Sequence, residues 1–232
     1  MGVKDEQPSG DLAWDWPARI THWGFGLSMS AAFWTAWRND PESVAFKYHL
    51  PLGCLAAWFL TGRILLGFFG GPLSRWRRWR HSPAVVAAYF GAVARGLPVE
   101  PAGVNPGTLL FAPLAWLAVP LLILTGYVAD WSEIWHARIA WGGAALVGCH
   151  LLGLSLHALR HQRLTPLAMV HGRRVGNDPR DRAESPRVAI SLAWLAASVS
   201  LAGTIWFGFD PLTCVWRILP GVEIAFPLIQ KG

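Results

Sequence analysis

Four histidines are the side chains of this sequence best placed to hold a metal. His136 and His150 stand fourteen residues apart in the apolar stretch 135–161. In a helix that spacing is close to four turns, so both imidazoles leave nearly the same face about 21 Å apart. Gly142 and Gly143 lie between them and leave room for something flat and bulky. His22 and His49 fall near the starts of two other apolar runs. A histidine inside a bilayer is costly unless it faces the bundle interior and finds a partner or a metal. Two imidazoles on one haem iron would close both axial positions, an arrangement suited to electron transfer rather than ligand chemistry.

The elements that must position these side chains are membrane helices. The chain has 232 residues, 53% hydrophobic and 15% charged, with several apolar runs long enough to cross a bilayer. The predicted fold is all-α, an integral membrane helical bundle with spans at about 17–37, 49–70, 108–129, 132–159 and 187–207. Pro113 and Pro120 interrupt the third span, which neighbouring helices in a bundle accommodate. The polar N-terminus has no basic flank leading into a short apolar region and cleavage site, so the first span is expected to act as the insertion signal. Cys54, Cys149 and Cys214 are too few and too scattered for a disulfide framework or a zinc site. There is no CxxCH attachment, so any haem must be held non-covalently.

Lys and Arg orient the bundle. Loop 71–107 carries Arg75, Arg77, Arg78, Arg80 and Arg95, and loop 160–187 carries Arg160, Arg163, Arg173, Arg174, Arg180, Arg182 and Arg187. Those loops belong in the cytoplasm. The N-terminus is then inside and the C-terminal tail outside. The net charge of +6 is thereby explained as a topology signal, and nucleic acid is not expected as a partner.

Depth follows from this orientation. The first helix enters from inside, which puts His22 in the inner leaflet. The second and fourth enter from outside, which makes His49 and His136 outer and His150 inner. Depth therefore matches His22 with His150 and His49 with His136, each pair able to supply two axial nitrogens to one b-type haem. A single such histidine has a plain alternative, a hydrogen bond to a neighbour or a position reaching for the interface. His157, seven residues after His150, could bind the inner haem instead, or contact a propionate or a quinone. Arg19, three residues before His22, is the expected propionate partner of the inner haem. Arg63 toward the inner end of the second helix and Arg138 beside His136 are further candidates, with interfacial or solvated positions as their alternatives. Residues 83–95 resemble an amphipathic segment on the inner surface.

Several stretches together resemble the prokaryotic cytochrome b561 family, which includes the b-type cytochrome subunits of nickel-iron hydrogenases. They are WDWPARITHW at 14–23, KYHLPLG at 47–53 leading into GRILLGFFG at 62–70, LTGY at 124–127, and the H-x13-H spacing of His136 and His150. The resemblance covers about 14–175. It implies the same histidine pairing, a four-helix di-haem core over 1–175, and electron exchange with the quinone pool. Members often have His before Asn-Pro at the start of the third helix, where this chain has Val104. The polar cytoplasmic linker, fifth helix and exterior tail, 176–232, lie outside that core. The hydrophobic tail, with Trp216, Ile218, Leu219, Phe226 and Ile229, is expected to lie along the membrane, to dock a partner subunit, or to be a loosely attached end.

The expected protein is a bacterial inner-membrane cytochrome with two haem b groups. It passes electrons between quinone and a protein redox partner, an exterior oxidoreductase subunit or a c-type cytochrome. No residue is read as catalytic. The same resemblance admits a self-contained superoxide:quinone oxidoreductase. In a different class, a non-haem membrane scaffold or metal transporter would use the histidines transiently, without the acidic ligands that hard-metal transport wants.

Overall fold

The computed structural model describes residues 11–79, 82–97, 106–127, 133–161, 167–174, 182, 183, 185 and 187–226. In chain order its helices are α1 (Trp16–Arg38), α2 (Val44–Lys47), α3 (His49–Phe69), α4 (Pro83–Ala94), α5 (Pro106–Tyr127), α6 (Glu133–His161), α7 (Ala168–His171) and α8 (Val188–Gly208). Five short strands accompany them: β1 (Asp11–Leu12), β2 (Arg173–Arg174), β3 (Phe209–Asp210), β4 (Val215–Leu219) and β5 (Val222–Ala225). The five long helices begin and end within two residues of the predicted spans. Pro106 opens α5, where its missing N–H costs nothing and its fixed φ suits a first turn.

Among the described residues, four helical segments are long and apolar enough to cross a membrane: Val44–Phe69, Leu109–Gly126, Glu133–Leu156 and Val188–Gly208. Helix α1 has the length, 23 residues, but Arg19, Thr21, His22, Ser28 and Thr35 make it more polar. The hydroxyls of Thr21, Ser28 and Thr35 are buried or bonded within the helix. Ser28 Oγ donates to the Gly24 carbonyl at 2.6 Å, Thr35 Oγ1 donates to Ala32 at 2.9 Å, and Thr21 and Ser28 are buried. Polar groups paired in this way are tolerated in a membrane helix.

The chain divides into two units. The first comprises residues 1–19, 64–114 and 145–188. Here β1 pairs antiparallel with β2, Asp11 opposite Arg174 and Leu12 opposite Arg173. The ribbon continues through Gly172, whose carbonyl accepts from the N–H groups of Ala13 and Trp14 at 2.9 and 3.0 Å. Gly172 has φ +81°, and a Cβ there would meet the Trp14 carbonyl at 2.9 Å, so glycine is required twice over. Asp15, 2% exposed, caps α1 by accepting from Ala18 N–H at 3.1 Å. Its other oxygen lies 3.6 Å from Arg187 Nε. Arg187 also donates to the Phe69 carbonyl at 2.7 Å, one of the orphan acceptors at the end of α3. Arg182 pairs with Asp11 at 2.8 Å. Helix α4 is capped by Ser82, which accepts from Val85 N–H at 3.3 Å. No residue of α4 is buried, in keeping with the surface segment expected at 83–95.

The second unit comprises residues 20–63, 115–144 and 189–232. Helix α8 joins α3 through two tryptophans. Trp58 and Trp194 stack with centroids 4.4 Å apart and planes at 11°. Trp58 Nε1 donates to Ser198 Oγ at 3.0 Å, and the Trp194 indole lies where a Cβ on Gly62 would be. Phe33 and Trp37 meet Trp141 edge-on at 5.1 and 5.9 Å. After α8 the chain forms an antiparallel meander in the order β3-β4-β5. This corrects the expectation for the tail. Trp216 at 2% exposure and Phe226 at 5% are interior residues, closing with Ile205, Phe209 and Cys214 into a core against which Tyr48, Leu50, Cys54 and Leu55 pack. Apolar side chains with this partner available fold onto it rather than onto lipid. Leu219, 62% exposed, is outside the core. Ile229 lies outside the described residues.

Candidate metal centre

The short helix α2 aims the first histidine. Ser43 caps α2 by accepting from Phe46 N–H at 3.2 Å, and α3 begins two residues after Lys47. His49 Nδ1 then lies 2.7 Å from the Phe46 carbonyl, with the Phe46 ring 4.5 Å from the imidazole. The second histidine is in the opening turn of α6 and is held from α5. His136 Nδ1 lies 3.1 Å from the Leu122 carbonyl and 3.2 Å from Thr125 Oγ1. A carbonyl can only accept, so we assign the proton to Nδ1 in both rings. Nε2 is then the lone-pair nitrogen in each.

The two imidazoles are neighbours in the second unit, ring centroids 6.5 Å apart and planes steeply inclined at 68°. Two nitrogens each about 2 Å from one metal, with each ring centre about 1.1 Å behind its nitrogen, would separate the ring centres by up to about 6.2 Å. Metal-ligating histidines characteristically donate their other N–H to a carbonyl or similar acceptor, as both do here. The donor set fits a haem iron, which brings four equatorial nitrogens and asks the protein only for two. It fits a bare ion poorly, because among the described residues no group of three or more His, Cys, Asp or Glu side chains converges. At Gly142 and Gly143 an added Cβ would meet nothing within 4 Å, so α6 borders open space at both positions.

His150 belongs to the first unit and His22 to the second. His150 is half-buried, its ring stacked on Phe111 at 4.6 Å and 26°. His22, also half-buried, lies 5.6 Å from the Trp23 ring at 81°. Their pairing rests on the sequence.

Among the candidate cations, Arg19 donates to the Val170 carbonyl and lies over the Trp16 ring, 4.1 Å from its centroid. Arg138 is exposed and lies over Trp135 at 5.0 Å. Arg63 is half-buried on α3. His157 is in α6, but its side chain lies outside the described residues.

Sequence reasoning missed the acceptors behind the two imidazoles and the apolar wall against which Tyr48 and Leu50, the sequence neighbours of His49, pack. That wall is the meander core, where Tyr48 meets Phe209 edge-on at 5.3 Å. Burial raises the Cys214 thiol above its ordinary value, as expected for a side chain kept from water. At the exposed edge, the Thr213 hydroxyl and the Leu212 N–H hold the Asp210 carboxyl below its usual value.

A membrane helical bundle with neighbouring, back-bonded imidazoles has the architecture and donor chemistry of a b-type cytochrome. The chain belongs to the prokaryotic cytochrome b561 family, whose model matches residues 13–172. It is therefore a membrane b-type cytochrome of electron transfer, in a family that generally binds haem b. No curated protein and no solved structure matches the chain. The matched region takes in all four histidines, while α8 and the meander follow it.

Proposed function

We propose that the chain is a di-haem cytochrome that carries electrons between the quinone pool and a protein redox partner on the exterior face. The observation that carries this reading is the His49–His136 pair, 6.5 Å apart, with each Nδ1 tied back to a main-chain carbonyl. His49 and His136 would hold the outer haem, and, from the sequence, His22 and His150 would hold the inner one. A bound haem would supply reversible one-electron iron chemistry. The protein's part would be to present imidazole nitrogens held in fixed orientation, which keeps reorganisation small. Arg19, Arg63, Arg138 and His157 remain candidates for propionate or quinone contacts. The N-terminus is cytoplasmic and the meander exterior, with the Arg-rich loops inside.

The test is a haem-to-protein ratio by pyridine haemochrome on the detergent-purified full chain, read beside its dithionite-reduced spectrum. Two low-spin b haems per chain are expected. A colourless protein, from cells supplied with haem, would overturn the reading and bring forward a scaffold or transporter.

A further inference from the structure

We infer that Thr125 is a positioning residue for the outer site: its hydroxyl oxygen shares the Nδ1–H of His136 with the Leu122 carbonyl, which fixes the ring and sets its donor strength. The inference rests on the haem reading of His49 and His136. Thr125 has one hydroxyl proton, and the Leu121 carbonyl at 2.7 Å takes it. Its lone pairs are left to accept from His136 Nδ1 at 3.2 Å. The result is a directed chain, His136 to Thr125 to Leu121, beside which the Leu122 carbonyl shares the imidazole proton at 3.1 Å and lies 3.3 Å from the hydroxyl. Being β-branched, threonine has few χ1 choices in a helix, so the oxygen is held in place. The next residue adds to the fit, since a Cβ on Gly126 would touch the same ring edge at 3.5 Å from Cε1 and 3.6 Å from Nδ1. The LTGY stretch, which carried a resemblance without a role, is thus the back wall of His136.

An acceptor on Nδ1–H makes the imidazole a stronger donor to a metal on Nε2. That favours the ferric iron and lowers the potential of the haem concerned. Position 125 is informative because the acceptor there is a side chain, which substitution removes; the carbonyls of Leu122 and Phe46 stay whatever the residue.

The experiment compares the full-length wild type with Thr125→Val, which keeps the shape and loses the acceptor, and Thr125→Ser, which keeps the oxygen. Each is measured for haem per chain, by potentiometric titration, and by low-temperature EPR. In Thr125→Val one of two midpoint potentials is expected to move up, with a change in the g-anisotropy of that haem, while the other haem is unmoved. Thr125→Ser is expected to return both readouts to wild type. Two haems with unchanged potentials and EPR in Thr125→Val would overturn the inference and leave the haem reading standing. If Thr125→Val loses a haem, recovery of two haems at wild-type potential in Thr125→Ser supports the inference, and loss in both overturns it. A wild type without haem overturns the underlying reading and this inference with it.

Discussion

The indoles of Trp58 and Trp194 lie 4.4 Å apart and nearly parallel, and this stack makes α8 part of the same unit as α3. The N–H of Trp58 ends on Ser198, one turn beyond Trp194, so the contact has direction as well as area. Aromatic pairs of this kind add about 0.5–1.5 kcal/mol to the burial of the rings themselves.

Removing half of the stack should therefore destabilise the chain without touching the histidines. Trp194→Ala is expected to cost about 3–5 kcal/mol, and Ser198→Ala about 1 kcal/mol through the stranded indole N–H. Thermal unfolding in detergent, with haem content measured on the folded fraction, checks both. A melting temperature equal to wild type in Trp194→Ala would show that α8 is not integral.

Single histidine substitutions should remove haems one at a time. His49→Ala and His136→Ala are each expected to lower the haem ratio from two to one, with the surviving low-spin signal the same in both. His22→Ala and His150→Ala should leave the other signal. If His49→Ala and His136→Ala leave different haems behind, the assigned pairing is wrong.

Asp15 couples three elements, through the cap on Ala18 and the approach of Arg187. Asp15→Asn keeps a capping oxygen and loses the charge; Asp15→Ala loses both. The cap is worth about 1 kcal/mol, and stranding a mostly buried arginine adds to it. The melting order is expected to be wild type, then Asn, then Ala. Equal melting of Asn and Ala would mean that the cap contributes nothing.

The meander should loosen in acid. Asp210 has a folded pKa depressed by Thr213 and Leu212, so its contribution is present above the unfolded value. As pH falls below about 3.8, the ordinary value, that contribution declines, and it is gone once pH has passed the lower folded value. Hydrogen exchange over residues 209–219 at pH 5 and pH 3 measures this, and Asp210→Asn should abolish the difference. Asp210 is exposed, so the effect is local fraying rather than global unfolding.

The long helices were legible because apolar runs of bilayer length have few other readings, and Pro106 and Arg187 mark two of their starts. Orientation and depth led to the expectation that His49 pairs with His136, and the two rings lie 6.5 Å apart. Leu122 was not legible, since a main-chain acceptor leaves no mark on residue type. Thr125 was visible as part of a motif, but its partner lies eleven positions on, across an α5–α6 connection that includes residues outside those described. The meander did leave a signal. Pro220-Gly221 separates VWRIL from VEIA as a turn between strands, and Gly221 has φ +80°. A composition-based reading of the tail as merely hydrophobic passed over that alternation of turn and strand.

The meander core draws on residues far apart in the chain, Tyr48 to Leu55 on one side and Ile205 to Phe226 on the other. Chains are made from the N-terminus, so α3 is synthesised long before its covering meander. The core that Tyr48 to Leu55 share with the meander can close only after the last stretch has been made. Folding thus has an order built into the chain: the packing around Trp216 is completed late, and truncation before Phe209 leaves Tyr48 to Leu55 uncovered however well the earlier helices insert.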